Sequence, residues 1–137
     1  VEFDRYLFFL LVLIVFERAV ASTFRAVSAS FALLTTAQAL FVVVINFMLL
    51  WSGFYVIRSN MPVWLAWACF VSPAWWTVEA LSTNEFRAPA YASGGVGVAT
   101  LAAFDFIDSD VAKWGSIIFL VALSASLNVW LAYALRA

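Results

Sequence analysis

Glu17, Arg18 and Arg25 are ionisable residues set among apolar neighbours, and Asp105, Asp108 and Asp110 crowd three carboxylates into six positions. Neither group has the arrangement of a catalytic site. The aspartates invite comparison with a calcium loop, but the ligand spacing, turn glycine and closing glutamate of an EF-hand are missing, so they read as a solvated acidic rim. The sequence has no histidine and one cysteine, Cys69. That removes the commonest metal ligand and general base, any cysteine-based metal site and any internal disulfide. No catalytic residues and no metal site are expected.

The elements that carry these residues follow from composition. Hydrophobic residues make up 66% of the chain and charged residues 11%, against about 45–50% and about 25% in soluble domains. Too little polar surface exists to cover a globule, so this reads as an integral membrane protein. A crossing helix needs about 20 apolar residues, and three such runs fit into 137 residues. The formal charge of −1, with seven scattered Lys and Arg residues, offers no basic field for nucleic acid.

The first run covers residues 6–27. Glu17 and Arg18 diverge by about 100° on a helix and face each other poorly, whereas Arg18, Ser22 and Arg25 share one face at i, i+4 and i+7. Ionisable groups at membrane depth face protein or water, so this stripe is expected to meet other helices or a cavity, with Arg25 also placed to snorkel. Glu17 calls for a partner, which a helix outside this chain can supply. The second run covers residues 32–56. Thr35, Gln38, Val42, Asn46, Leu49 and Gly53 recur at helical spacing on one face, consistent both with packing between helices and with a transport path. The third run, residues 114–135, has Trp114 and Tyr133 near its ends, as interfacial aromatics do. Its Ser124, Ser126 and Asn128 suit interhelical packing, and Arg136 follows it.

Between the second and third runs lies SGFYVIRSNMPVWLAWACFVSPAWWTVEALSTNEF, residues 52–86. Two short helical pieces flank Ser72-Pro73, each too short to cross about 30 Å of hydrocarbon. Irregular backbone at that depth must be covered by protein or water. The segment therefore reads as a re-entrant hairpin over residues 62–82, with Trp64, Trp67, Trp75 and Trp76 at the interface. Residues 83–113 are expected as a loop, with Gly94, Gly95 and Gly97 marking a turn-rich solvent segment.

A long apolar helix ending in Ser52-Gly53-Phe54, then a basic residue, Pro62 before Trp64 and Trp67, the Ser72-Pro73 break, Glu79-Ala80-Leu81 and Asn84-Glu85-Phe86 together resemble the membrane domain of G-subfamily ABC transporters, of the white and pleiotropic drug resistance type. The resemblance implies an all-α fold with three transmembrane helices and a re-entrant helical hairpin between the second and third, the runs corresponding to the family's fourth, fifth and sixth helices. It places the hairpin and the 83–113 loop outside or in a lumen, whereas the weak charge bias would put them inside.

By the same resemblance the fifth helix lines a substrate cavity, here Ala39, Val42, Asn46 and Leu49, and Phe54 and Tyr55 take the place of a hydrophobic plug. The implied function is ATP-driven export of hydrophobic or amphipathic small molecules or lipids across a plasma or organelle membrane. No GxxxxGK[ST] motif occurs in the sequence, so ATP, magnesium and hydrolysis belong to a nucleotide-binding domain elsewhere in the parent. That domain, the first three membrane helices and a second membrane domain are the implied partners, with the bilayer and the cargo. On this reading the chain is a piece of something longer. The other class is a non-transporting subunit of a larger complex, structural or pigment-associated, in which Glu17, Gln38 or Asn46 would replace a histidine ligand.

Overall fold

The computed structural model describes residues 3–107 and 109–135; Asp108 and Arg136 lie outside the described residues. All regular structure among the described residues is helical: α1 (Phe3–Ala29), α2 (Leu34–Leu50), α3 (Trp67–Val71), α4 (Pro73–Phe86), α5 (Pro89–Ala92), α6 (Val96–Ala103) and α7 (Asp110–Ala134), with 3₁₀ turns at Arg58–Asn60 and Ser93–Gly95. By length and composition α1 and α7 can each cross a bilayer, and α2 is a shorter apolar helix of 17 residues.

Helix α1 buries Phe8, Val12, Ala19, Ser22 and Ala26. These positions fall on a seam with a period near 3.5, the spacing that keeps one face of a helix against a neighbour. That neighbour is α7 along its length and α4 at the first half. The seam is bulky at Phe8 and Val12, which pack with Ala80 and Ile117. It is small at Ala19, Ser22 and Ala26, where membrane helices approach closely. There the Ser22 hydroxyl lies 3.1 Å from Ser124 Oγ and accepts a hydrogen bond from Asn128 Nδ2 at 3.0 Å.

Helices α1 and α7 run parallel. Near their starts Arg5 and Lys113 both bind Asn84, and further along Ser22 meets Ser124 and Asn128. Helix α4 runs the other way, from Ala74 beside Phe16 and Glu17 to Asn84 beside Arg5. Helix α2 flanks the second half of α1, where Phe24 and Phe41 meet edge to face with ring centroids 5.2 Å apart. Thus α2 and α4 are stacked end to end alongside α1.

The second apolar run, read as one helix over 32–56, stops at Leu50. Its composition stays apolar through Phe54, Tyr55 and Val56, but its backbone turns. Ser52 Oγ donates to the Leu49 carbonyl at 2.8 Å, and Gly53 adopts φ 80°, in the left-handed region that favours glycine. The Trp75 ring fills the space a Cβ at Gly53 would need. Within residues 83–113, read as a loop, the chain forms α5 and α6. Gly97, grouped with Gly94 and Gly95 as a solvent turn, is instead buried in α6, close enough to the Phe86 carbonyl that a Cβ would overlap it. Glycine marks a close helix contact there.

Gly53→Ala should destabilise the intact protein by about 2 kcal/mol or more, from backbone strain and overlap with Trp75. Gly115→Ala, with open space around it, should stay within about 0.5 kcal/mol of wild type. Thermal unfolding in a fixed detergent compares the two, and equal midpoints would contradict the role given to Gly53.

Candidate translocation face and lid

The proposed cavity residues Ala39, Val42, Asn46 and Leu49 all lie on α2 and are exposed, as are Thr35 and Gln38, while Ala37 and Met48 on the opposite side are buried. The packing follows from the pattern: most of the stripe points away from α1 and α4, with Leu49 at its edge bordering the crevice between α1 and α2. Asn46 Nδ2 donates to the Val42 carbonyl at 2.7 Å, so part of its hydrogen-bonding need is met within the helix. The face offers apolar walls with one amide and no charge. Such a surface suits hydrophobic ligands that bring a single hydrogen-bonding group.

At the end of this face the chain turns through Ser52 and Gly53, both buried. Phe54 and Tyr55 follow, 64% and 68% exposed, their rings edge to face, and Phe54 stacks parallel on Phe104 with centroids 6.1 Å apart. The plug candidates are therefore brought together, and Phe54 also leans on the segment after α6.

Beside the turn sits the candidate lid, which has its own core of Met61, Cys69, Trp75, Leu101 and Phe106. Cys69 is fully buried and acts as a small apolar group. Pro73 begins α4, where its missing N–H costs nothing, and Ser72 Oγ donates to the Met48 carbonyl at 3.2 Å, tying lid to α2 in a buried contact. Pro62, Trp64 and Trp67 stay exposed, Trp64 and Trp67 as the rings expected at a membrane interface. Arg58 bonds Asp105 at 2.7 Å and lies over the Phe70 and Trp75 rings. Asp105 is thus part of this cluster, and Asp110 pairs with Arg87.

Asn84 is the joint of the assembly. Its carbonyl accepts from Arg5 at 2.7 Å, its amide nitrogen donates to the Arg5 carbonyl at 3.1 Å, and its amide oxygen accepts from Lys113 at 2.7 Å. One side chain and its backbone so connect α1, α4 and α7. Of its motif neighbours, Glu85 is exposed and Phe86 packs edge to face on Tyr91 at 5.5 Å.

Sequence reasoning named Glu79 only as part of a motif, yet it is 2% exposed. Its carboxylate accepts from the Ile107 N–H at 3.3 Å and from Ser116 Oγ at 3.4 Å, pinning the segment after α6 to α4 and α7. A lone carboxylate within the apolar run AWWTVEAL was the available signal.

Glu17, Arg18 and Arg25 divide from the packed seam of α1. Ser22 lies on the packed seam, whereas Arg18 and Arg25 at its margin are exposed, so the stripe does not enter the bundle as a unit. Arg18 Nε reaches only 3.8 Å from Glu17, and both side chains are exposed. Glu17 also borders an apolar crevice of about 560 Å3 between α1 and α2, lined by Phe16, Phe24, Ile45 and Leu49.

Residues 1–86 match the ABC-2 type transporter family, the match ending on the last residue of α4. The chain belongs to that family. ABC transporter G family member 30 of Arabidopsis thaliana is 32% identical over 88 residues, which is 64% of this chain and 6% of that protein. Member 35 of the same plant is 32% identical over 79 residues, 58% of this chain and 6% of its own length. ABC transporter G family member 6 of Dictyostelium discoideum is 29% identical over 89 residues, 65% of this chain and 6% of that protein. The chain spans about 6% of the length of these curated relatives. This ABC-2 type segment is thus a G-type membrane domain component of a transporter, and it resides in a membrane. α2 with its exposed stripe, the Ser52-Gly53 turn and the Asn84 joint all lie inside the matched region, whereas Phe104, Asp105 and Ser116 lie beyond it.

Glu79→Ala leaves the Ile107 N–H without its acceptor and should cost about 1–3 kcal/mol. Thermal unfolding in a fixed detergent decides this, and a midpoint unchanged from wild type would refute the assignment.

Proposed function

We propose that this chain forms one wall of the translocation path, and its external lid, in an ATP-driven G-type exporter of hydrophobic or amphipathic small molecules or lipids. The observation that carries the reading is the uncovered α2 face through Val42, Asn46 and Leu49, which ends at the Ser52-Gly53 turn under the lid. An apolar face with one amide, leading to two aromatic side chains at a break in the helix, has the parts of a cavity and a gate.

In this reading the chain is multi-pass. α1 and α7 are parallel, so if both cross the membrane the chain between them must cross back. α2 provides about 25 Å of that return at about 1.5 Å per residue, and the hairpin of α3 and α4 completes it. Three crossing elements and a re-entrant hairpin result, with the lid at the Arg5 and Lys113 end. ATP and magnesium act in a nucleotide-binding domain of the parent, which together with the first three membrane helices and a second membrane domain encloses the face that α2 leaves open. The chain itself supplies no ATPase residues. Its host membrane is the plasma membrane or that of an organelle.

In the intact transporter, Asn46→Ala should change relative transport rates among cargos that differ by one hydrogen-bonding group, by about 1 kcal/mol or roughly fivefold. Phe54→Ala should raise basal leak or uncouple ATP turnover from transport. Vesicle transport assays read both, and unchanged kinetics for the pair would remove the α2 face from the path.

A further inference from the structure

The stretch of chain that carries Phe54 is tied to the segment after α6 at two points. At the first, Phe54 stacks on Phe104. At the second, Arg58 Nε bonds Asp105 Oδ2 at 2.7 Å, the two side chains being 30% and 36% exposed. The guanidinium carbon also lies 5.6 Å and 5.9 Å from the centroids of the Phe70 and Trp75 rings, whose faces help to hold the cation in place. Residues 54 and 58 thus meet consecutive residues of one segment, 104 and 105.

That segment is shaped to receive them. Phe104 caps α6, and Asp105 follows at φ 58°, a left-handed position that aspartate tolerates better than most residues. The Asp105 and Phe106 N–H groups donate back to the Ala102 and Leu101 carbonyls at 3.1 and 3.0 Å, the reversal that ends a helix in a left-handed residue. Phe106 continues the row of rings, with its centroid 6.0 Å from Phe104 and 5.3 Å from Trp75, and Trp75 is the ring that closes over Gly53. Glu79, the other carboxylate at this segment, is taken up by Ile107 and Ser116. Asp105 is therefore the carboxylate in contact with Arg58 among the described residues. Of the two ties the stack is the looser, since Phe54 is 64% exposed; the charge-assisted bond is the stronger.

We propose that the Arg58–Asp105 ion pair is the latch of the gate: it clamps residues 54–58 to the segment after α6 and so keeps the Phe54 ring on Phe104, and parting of the pair frees the ring to swing away. Arg58 and Asp105 act through Phe54 and Phe104 and are positioning residues. The consequence for transport rests on the gate reading of Phe54, whereas the clamp itself does not.

The test is hydrogen–deuterium exchange on the intact transporter, read by mass spectrometry on peptides spanning residues 52–57, beside thermal unfolding and basal leak in vesicles. The Phe54 N–H, which donates to Ser52 Oγ at 3.3 Å, is the reporter in those peptides. Asp105→Asn and Asp105→Gly both accept the left-handed backbone while removing the charge. Each should speed exchange there about fivefold or more, as expected of a local opening, with the unfolding midpoint nearly unchanged. Arg58→Gln should do the same, and Arg58→Gln combined with Asp105→Asn should be no faster than either alone, because a pair is broken only once. Basal leak should rise with the exchange rate. Unchanged exchange in both Asp105 variants, or additive effects in the combined variant, would overturn the latch even if Phe54→Ala leaks. Faster, non-additive exchange without leak would uphold the latch and remove the gate reading instead.

Discussion

Backbone that leaves a helix inside a bilayer must be covered, because each bare N–H or C=O in hydrocarbon costs several kcal/mol. This chain leaves a helix at Leu50 and does not begin α4 until Pro73. The rest of the structure is organised around that break. Ser52, Gly53 and Ser72 are buried, Ser52 and Ser72 direct their hydroxyls at carbonyls near the end of α2, and the Trp75 ring closes over Gly53. A helix broken without these contacts would leave its terminal carbonyls uncovered.

Covering the break required a lid with a core of its own, and the lid in turn needed anchoring to helices that it meets only at one end. Two polar anchors serve it. Glu79 fastens the chain after α6 to α4 and α7, and Asn84 fastens α4 to α1 and α7. Their costs differ. Asn84 is neutral and has partners at its carbonyl and at both ends of its amide, so its burial is nearly repaid. Glu79 accepts two longer bonds while buried, which makes it the weaker of the two anchors.

The two long helices were legible because length and composition suffice for them, and the structure extends each expected run by a few residues at its start. The second run was legible as apolar but not as a unit, since hydropathy cannot register a left-handed glycine or the indole that makes it obligatory. Ser52-Gly53 and Ser72-Pro73 did mark the two breaks. Their pairing across 20 residues depends on Trp75, which sequence reasoning assigned to the interface and the fold placed inside, 1% exposed. The stripe of Asn46 was readable from period alone, whereas its neighbour was not, because an uncovered apolar face looks the same whether lipid, cargo or another helix lies against it.

The break also determines which parts can move separately. Because α2 and α4 are stacked end to end rather than joined in one rod, a displacement of α2 reaches the lid through a short boundary, the turn and a few contacts such as Ser72 to Met48. α4, by contrast, is bound along its length to α1 and α7. A push on α2 from below would therefore be absorbed near Phe54 and Tyr55, where side chains are exposed and contacts are few, before it disturbed the Glu79 and Asn84 anchors. Hinges form where a packed element meets a loosely held one. In this chain that boundary coincides with Phe54 and Tyr55, the two aromatic residues of the proposed gate.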